Sequence, residues 1–197
     1  MMNILVILAH PNKESFNHAI ASKAIAKLRE NEHNIVFHDL YAEKFDPMLP
    51  TSELPEGAKI TSQVEAHCED LTLADGIIII HPNWWGQPPA ILKGWVDRVF
   101  RPGVAYQPVE GEALAYGLLK TRSVIVFNTS DTPEDRENEQ FGNPLETLWK
   151  NCIFGFCGVK NVYHETFSVI VISTPEQRDE WLAQVQRRVD LHFPMGS

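Results

Sequence analysis

Basic residues are in short supply: 17 Lys and Arg stand against 26 Asp and Glu, for a formal charge of −9. That balance argues against a nucleic-acid backbone or an anionic membrane surface as partner. Cysteine is sparse too, with Cys68, Cys152 and Cys157 widely spaced and odd in number, which excludes a disulfide scaffold and suits a reducing cytoplasm. Cys152 and Cys157 would sit about 140° apart around a helix, a poor metal pair, and read as buried thiols. The histidines show no ligand spacing such as H-E-x-x-H, so no metal is expected. No apolar run reaches the roughly 18 residues of a membrane span, and the apolar start from Asn3 to Ala9 is too short for a signal peptide. Also missing are a G-x-G-x-x-G dinucleotide fingerprint, a Walker phosphate loop, a G-x-S-x-G elbow and any repeat period.

What the chain does have is 44% apolar residues, enough for a real core, and a length that suits one domain over 1–197. Short apolar runs recur at Ile4–Leu8, Ile35–Phe37, Ile77–Ile80 and Val124–Phe127, and at Phe167–Val171 with Ser168 as its one polar position. Such runs predict strands buried on both faces of a parallel sheet. Helical periodicity lies between them, at Phe16–Leu28, Ile91–Phe100, around Trp149 and at Trp181–Val189. The alternation predicts a doubly wound, five-stranded parallel sheet in a three-layer α/β/α sandwich. Two long polar segments, 41–59 and 130–143, read as lids, dimer arms or binding loops, with neutral insertions an equal alternative.

Ligands of open α/β sheets bind beyond the carboxyl ends of the strands. After the first strand comes His10-Pro11-Asn12-Lys13-Glu14-Ser15-Phe16-Asn17, where Ser15 is a good N-cap. Free helix amides with the Ser15 and Asn17 side chains would make an anion site there; a capped surface helix is the plainer reading. After the third strand comes Pro82-Asn83-Trp84-Trp85-Gly86. In an extended chain adjacent tryptophans point opposite ways, so one is expected to line the crevice, as a surface suited to a planar heteroaromatic ring. Capping the core or a dimer contact is the alternative. After the fourth strand, Asn128-Thr129-Ser130-Asp131-Thr132 offers hydroxyls and amides. An acidic pocket for a phosphate-receiving signalling domain is absent, since His10-Pro11 stands after the first strand.

Together these segments resemble the flavodoxin-like NAD(P)H:quinone oxidoreductase (DT-diaphorase-like) family. The most specific part is Pro82-Asn83-Trp84-Trp85 followed by the string from Pro89-Ala90-Ile91-Leu92-Lys93-Gly94-Trp95 to Phe100, supported by Ser15-Phe16-Asn17, Asp39-Leu40-Tyr41 and Phe45-Asp46-Pro47. The resemblance implies a flavodoxin-like fold and a cytoplasmic flavoprotein that moves a hydride from NAD(P)H through the flavin to a quinone-like acceptor by a ping-pong scheme. FMN is preferred to FAD because no adenosine site is evident. A homodimer with flavin sites at the subunit interface is also implied. Carried over by position, His10, Ser15, Phe16 and Asn17 match the flavin's phosphate side; Pro82, Asn83, Trp84 and Trp85 match the loop along the ring; Thr129 and Ser130 match donors to its pyrimidine edge. Gly86 replaces an aromatic residue, leaving room beside the ring, and the glycine-rich turn after the fourth strand is replaced by Thr129–Pro133. The residues that poise substrate over the flavin are therefore unassigned. A different class, a flavin-bearing ancillary subunit of a potassium-efflux system, resembles the same family.

Overall fold

The computed structural model describes residues 1–196. Its centre is a five-stranded parallel sheet in the order β2-β1-β3-β6-β7, formed by β1 (Asn3–Leu8), β2 (Asn34–Asp39), β3 (Gly76–Pro82), β6 (Ser123–Ser130) and β7 (Val162–Ser168). A two-stranded antiparallel hairpin, β4 (Tyr106–Pro108) and β5 (Ala115–Gly117), lies apart from it. The central strands are buried along their lengths because Ile77–Ile80 and Val124–Phe127 feed apolar side chains into both faces of the sheet. On one face, Leu5, Ile7, Ile77, Ile79, Val124 and Val126 pack with α2 (Ser62–Leu73) and α3 (Ala90–Val99). On the other, Val6, Leu8, Ile78, Ile80, Ile125 and Phe127 pack with α1 (Phe16–Glu30) and α6 (Pro175–His192). The sheet is thus a three-layer sandwich, as the alternation predicts.

The edges of the sheet depart from expectation. The fifth strand is Val162–Ser168, and the apolar run Phe167–Val171 only overlaps its end. A strand with one open edge tolerates Tyr163, His164 and Glu165, so it carries no continuous apolar signal. After it, Ile170–Ile172 turns as a 3₁₀ helix with Val171 and Ile172 exposed. β2 is the other edge, and Phe37 is exposed there instead of buried. Cys68 and Cys157 are buried, whereas Cys152 lies on the outside of a π-helical stretch, Leu148–Gly155, and is exposed. The segment 130–143 is only partly loop, since it contains α4 (Glu134–Glu139). A single turn, α5 (Pro144–Thr147), then leads into the π-helical stretch.

The 41–59 segment is fixed to the sandwich by a buried ion pair. Arg98 of α3 donates to both carboxylate oxygens of Glu53, at 3.1 and 2.6 Å, and to the Asp46 carbonyl at 2.7 Å. It crosses α3 where Gly94 has no side chain: a Cβ there would lie 2.3 Å from both Cβ and the carbonyl oxygen of Pro47. Contact this close needs glycine.

Candidate functional site

Because β1, β3 and β6 run parallel in register, their carboxyl ends fall together: Leu8 faces Ile80, which faces Phe127, and Pro82 faces Thr129. The segments 10–17, 82–87 and 128–132 therefore form one rim. The first is shaped by local hydrogen bonds. Asn12 Oδ1 accepts from the Glu14 amide at 2.9 Å, and the Asn12 carbonyl accepts from the Ser15 amide at 3.1 Å. Ser15 caps α1 with its side chain, accepting from the His18 amide. The amides of Phe16 and Asn17 have no acceptor among the described residues. The Phe16 ring packs edge-on to Phe167 and near Trp181, with the Arg178 guanidinium 6.0 Å from its centre. Burial is the main cause that holds His10 below its ordinary pKa.

The second segment is not extended. Trp84 and Gln87 exchange two backbone bonds, at 3.0 and 3.1 Å, and the residues between them, Trp85 and Gly86, have φ of +59° and +72°. Two left-handed central residues make a type I′ turn. The chain is thus a turn and not the extended segment expected, though Trp84 does line the crevice: it is 42% exposed beside His10, whereas Trp85 is fully exposed. Glycine at 86 serves the turn as well as leaving space, for a Cβ would come within 3.0 Å of Pro144 Cγ. Asn83 anchors the turn. Its amide donates to the Thr129 carbonyl at 2.7 Å, its Oδ1 accepts from the Gly86 amide at 2.9 Å, and its Nδ2 donates to Glu137 of α4 at 3.1 Å.

Nine of the eleven residues singled out in the sequence, His10, Ser15, Phe16, Asn17, Pro82, Asn83, Trp84, Thr129 and Ser130, line one cavity of about 420 Å³. Trp85 and Gly86 line a neighbouring, more apolar one of about 520 Å³, which shares Asn83 and Thr132 with the first. A third, of about 320 Å³ and rich in carboxylates, meets both at Thr132. The rim also contains residues the sequence did not single out: Arg178 from α6, and Glu137, Arg136 and Phe141 from the 130–143 arm.

Beneath the rim lies a buried polar layer that periodicity could not reveal. His81 is wholly buried; its Nε2 accepts from the Trp149 indole at 3.0 Å, so its Nδ1 carries the hydrogen and donates to the Pro82 carbonyl at 2.8 Å. Burial pushes its pKa down to about 3. Asn128 Oδ1 accepts from His164, pushed down to about 4 by burial, and from Thr166. Two buried polar atoms find no partner among the described residues: Asn128 Nδ2 and Asn17 Oδ1. Asn17 is 2% exposed, lines the 420 Å³ cavity and donates through Nδ2 to Thr129 Oγ1 at 2.9 Å. A buried polar atom without a partner, on a side chain that lines a cavity, calls for a polar partner that the protein itself does not supply. The arrangement offers anion donors at α1, aromatic and backbone surface at 82–84, and hydroxyls at 129–130. It suits a planar ring with an anionic tail.

One group of metal-ligand type occurs among the described residues, His38, Glu43 and His67. Its chemistry is spent internally. The Trp95 indole donates to His67 Nδ1 at 3.1 Å, so Nε2 keeps its hydrogen and faces Glu43 at 3.2 Å. A metal would need the lone pair that this tautomer lacks.

Comparison with known proteins agrees with this geometry. Residues 2–192 match the family described by its flavodoxin-like fold. A protein of Haemophilus influenzae named as an uncharacterized NAD(P)H oxidoreductase is 38% identical over 174 residues, covering 86% of this chain and 85% of that one. NAD(P)H dehydrogenase [quinone] 1 of Rattus norvegicus is 30% identical over 211 residues, covering 94% and 76%. Among solved structures, the NAD(P)H:quinone oxidoreductase of Methanothermobacter marburgensis superposes with a TM-score of 0.80 at 25% identity, covering 96% of each chain. The chain belongs to the flavodoxin-like family of NAD(P)H oxidoreductases.

Proposed function

We propose that this chain is a cytoplasmic NAD(P)H:quinone oxidoreductase that works through a bound flavin, with FMN preferred. The observation that carries the reading is the 420 Å³ cavity at the sheet's carboxyl end, with the open Asn17 amide and the unpaired Phe16 and Asn17 amides on one wall and the Trp84 turn on another. Ser15, Asn17 and the α1 amides would hold the phosphate, helped by the helix dipole. Pro82, Asn83 and Trp84 would lie along the ring, with Thr129 and Ser130 at its polar edge. Arg178 is tied to Ser173 Oγ at 2.7 Å and the Ile170 carbonyl at 3.0 Å, so it adds fixed positive charge to an otherwise acidic chain. A bound flavin would accept a hydride from NAD(P)H and pass two electrons to a quinone.

What the chain's own residues do is bind, orient and exclude water. Asn83 Oδ1 closes the Trp84–Gln87 turn and His81 holds the Pro82 carbonyl that precedes it, so a ring lying along this loop would rest on a fixed surface. One face of that ring would be covered by protein, so nicotinamide and acceptor would use the other face in turn, which is a ping-pong order. The fully exposed Trp85 and the half-exposed Phe141 beside it leave an apolar surface that a second copy would cover, as in a homodimer. The relatives described above carry oxidoreductase names, which favours an enzyme over an ancillary subunit of a potassium-efflux system.

The test is the visible spectrum and turnover of the purified protein. Flavin absorption released on denaturation, with parallel double-reciprocal lines for NAD(P)H and quinone, supports the reading. Protein that stays colourless after incubation with FMN and FAD refutes it. Sedimentation as a fully active monomer would refute the dimer alone.

A further inference from the structure

Ser15 does not meet the cavity alone. Its Oγ lies 2.9 Å from Nδ1 of His18, one turn into α1, and the Nε2 of the same ring lies 3.3 Å from Oδ2 of Asp39 at the end of β2. The other oxygen of Asp39 accepts from the amides of Tyr41 and Ala42, at 3.2 and 3.1 Å. A carboxylate held by two amides is an acceptor only, so His18 Nε2 must carry a hydrogen to meet it. In the neutral ring Nδ1 is then a lone pair, and the hydrogen in the 2.9 Å contact has to be the one on Ser15. The hydroxyl is thereby directed into His18 and is not free to donate to the cavity. When Nδ1 takes a proton from solvent the bond reverses: the imidazolium donates to Oγ, and the Ser15 hydrogen turns outward.

We propose that a phosphomonoester binds at this end of α1 together with a proton on His18, which makes His18 the positioning residue of the phosphate site. The proposal rests on the flavin reading above. A second observation points to a ligand here independently of the relay. Asn17, buried on the same wall, has an unpartnered Oδ1; with its amide reversed it would accept from the Thr129 hydroxyl and present its NH₂ to the cavity. Among the described residues the titratable groups found facing the His18 ring are Asp39 from β2 and His10 from the segment after β1, 6.4 Å away between ring centres. Burial is the main cause that lowers the His10 pKa, and loss of the proton in His18→Gln separates uptake at His18 from uptake at His10. The charge created on His18 is flanked by Asp39 on one side and by the incoming phosphate on the other, through Ser15.

The sign separates this device from ordinary phosphate chemistry. A phosphomonoester has a second ionisation near pH 6, so a site that only favours the dianion would bind FMN more tightly as pH rises. Coupled uptake does the reverse. From about pH 6 to about pH 9 the FMN dissociation constant should rise, by as much as about tenfold per unit where linkage is complete. Riboflavin, which lacks the phosphate, should bind with little pH dependence. Calorimetry of the apoprotein with FMN, in buffers of different ionisation heat, should count close to one proton taken up beyond the riboflavin value. His18→Gln can still accept from Ser15 and donate to Asp39 but does not titrate, and should lose that uptake while still binding FMN. Should His18→Gln fail to fold, the proton count on the unmodified chain decides. FMN binding with no more uptake than riboflavin, or undiminished uptake in His18→Gln, overturns the proposal and leaves the flavin reading standing. If neither flavin binds, both fall.

Discussion

Acid should unfold this protein through His81, and the structure gives the size of the effect. The ring is wholly buried under the site with both nitrogens in use: Nδ1 donates to the Pro82 carbonyl, and Nε2 accepts from the Trp149 indole. Adding a proton at Nε2 would set two donors against each other in a space without water. Burial, the largest cause, moves the pKa from the ordinary 6.5 to about 3. A lowered histidine pKa means that the unfolded chain binds the proton more tightly. Its contribution is therefore complete above pH 6.5 and lost as pH falls from there toward 3. Below the folded-state value the loss levels off at about 5 kcal/mol; at about pH 4.5 it is about 2–3 kcal/mol, at 1.36 kcal/mol per pKa unit. His164, moved to about 4, adds a loss of similar size at about pH 4.5 and about 3 kcal/mol in full. Against a typical total of about 5–15 kcal/mol, these two rings make the loss of stability begin above the pH at which carboxylates protonate.

The assay is urea unfolding followed by tryptophan fluorescence at neutral pH and near pH 4.5. His81→Gln retains an acceptor for Trp149 and a donor for Pro82 but has no proton to gain. The variant should be less stable at neutral pH, by about 1–3 kcal/mol for imperfect geometry in a packed core. Its loss on acidification should be smaller than that of the unmodified chain by about 2–3 kcal/mol. If both proteins lose the same stability between the two pH values, burial of His81 is not the source of acid sensitivity and the reasoning fails.

Two further substitutions probe the frame around the site. Gly94→Ala drives a methyl into the Pro47 backbone, so the 41–59 segment must lift from α3; a loss of about 2–4 kcal/mol in thermal or urea unfolding is expected, and a neutral effect would mean that the crossing is loose. Glu53→Gln leaves the guanidinium of Arg98, 3% exposed, without its buried counter-charge, and should cost about 3–5 kcal/mol by the same measurements; replacing both partners with apolar residues should restore much of it.

Legibility in the sequence followed burial. Ile77–Ile80 and Val124–Phe127 lie mid-sheet, where both faces demand apolar side chains, and their runs marked the strands directly. β7 sits at an edge and could afford Tyr163, His164 and Glu165, so the apolar signal slid to residues that mostly follow it. The hairpin of β4 and β5 pairs only three residues on each side, too few for a period to show. At the site, the general rule about strand ends was enough to gather Ser15, Asn83 and Thr129, because it depends on topology alone. The conformation of Trp84-Trp85-Gly86 was beyond it. A non-glycine residue at φ of +59° is uncommon, and Trp85 adopts it only because Asn83 and the Trp84–Gln87 bonds close the turn around it. His18 escaped notice because its role is relational: it matters through Ser15 three residues before it and Asp39 on another strand.

The same relational logic makes Asn83 the joint between two walls of the cleft. Its backbone amide belongs to the sheet end through Thr129, its Oδ1 closes the Trp84–Gln87 turn through Gly86, and its Nδ2 reaches across to a Glu137 carboxylate that is 6% exposed. Among the described residues Glu137 has no cationic partner, so this bond to a buried charge matters more than a surface one would. Asn83→Ala removes both side-chain bonds and keeps the amide bond to Thr129. A hydrogen bond to a charged group is worth about 1.5–3 kcal/mol, which corresponds to an opening equilibrium raised about tenfold to a hundredfold or slightly more. The opening should be local. The amides of Glu137 and Asn143, which close α4 and the turn after it, should exchange hydrogen faster by that factor, while those of β1 and β3 stay as they were. Hydrogen exchange read residue by residue separates the cases. Faster exchange throughout the sheet would mean that Asn83 supports the whole fold, and unchanged exchange in α4 would mean that the arm is held by other contacts; either result would dissolve the joint.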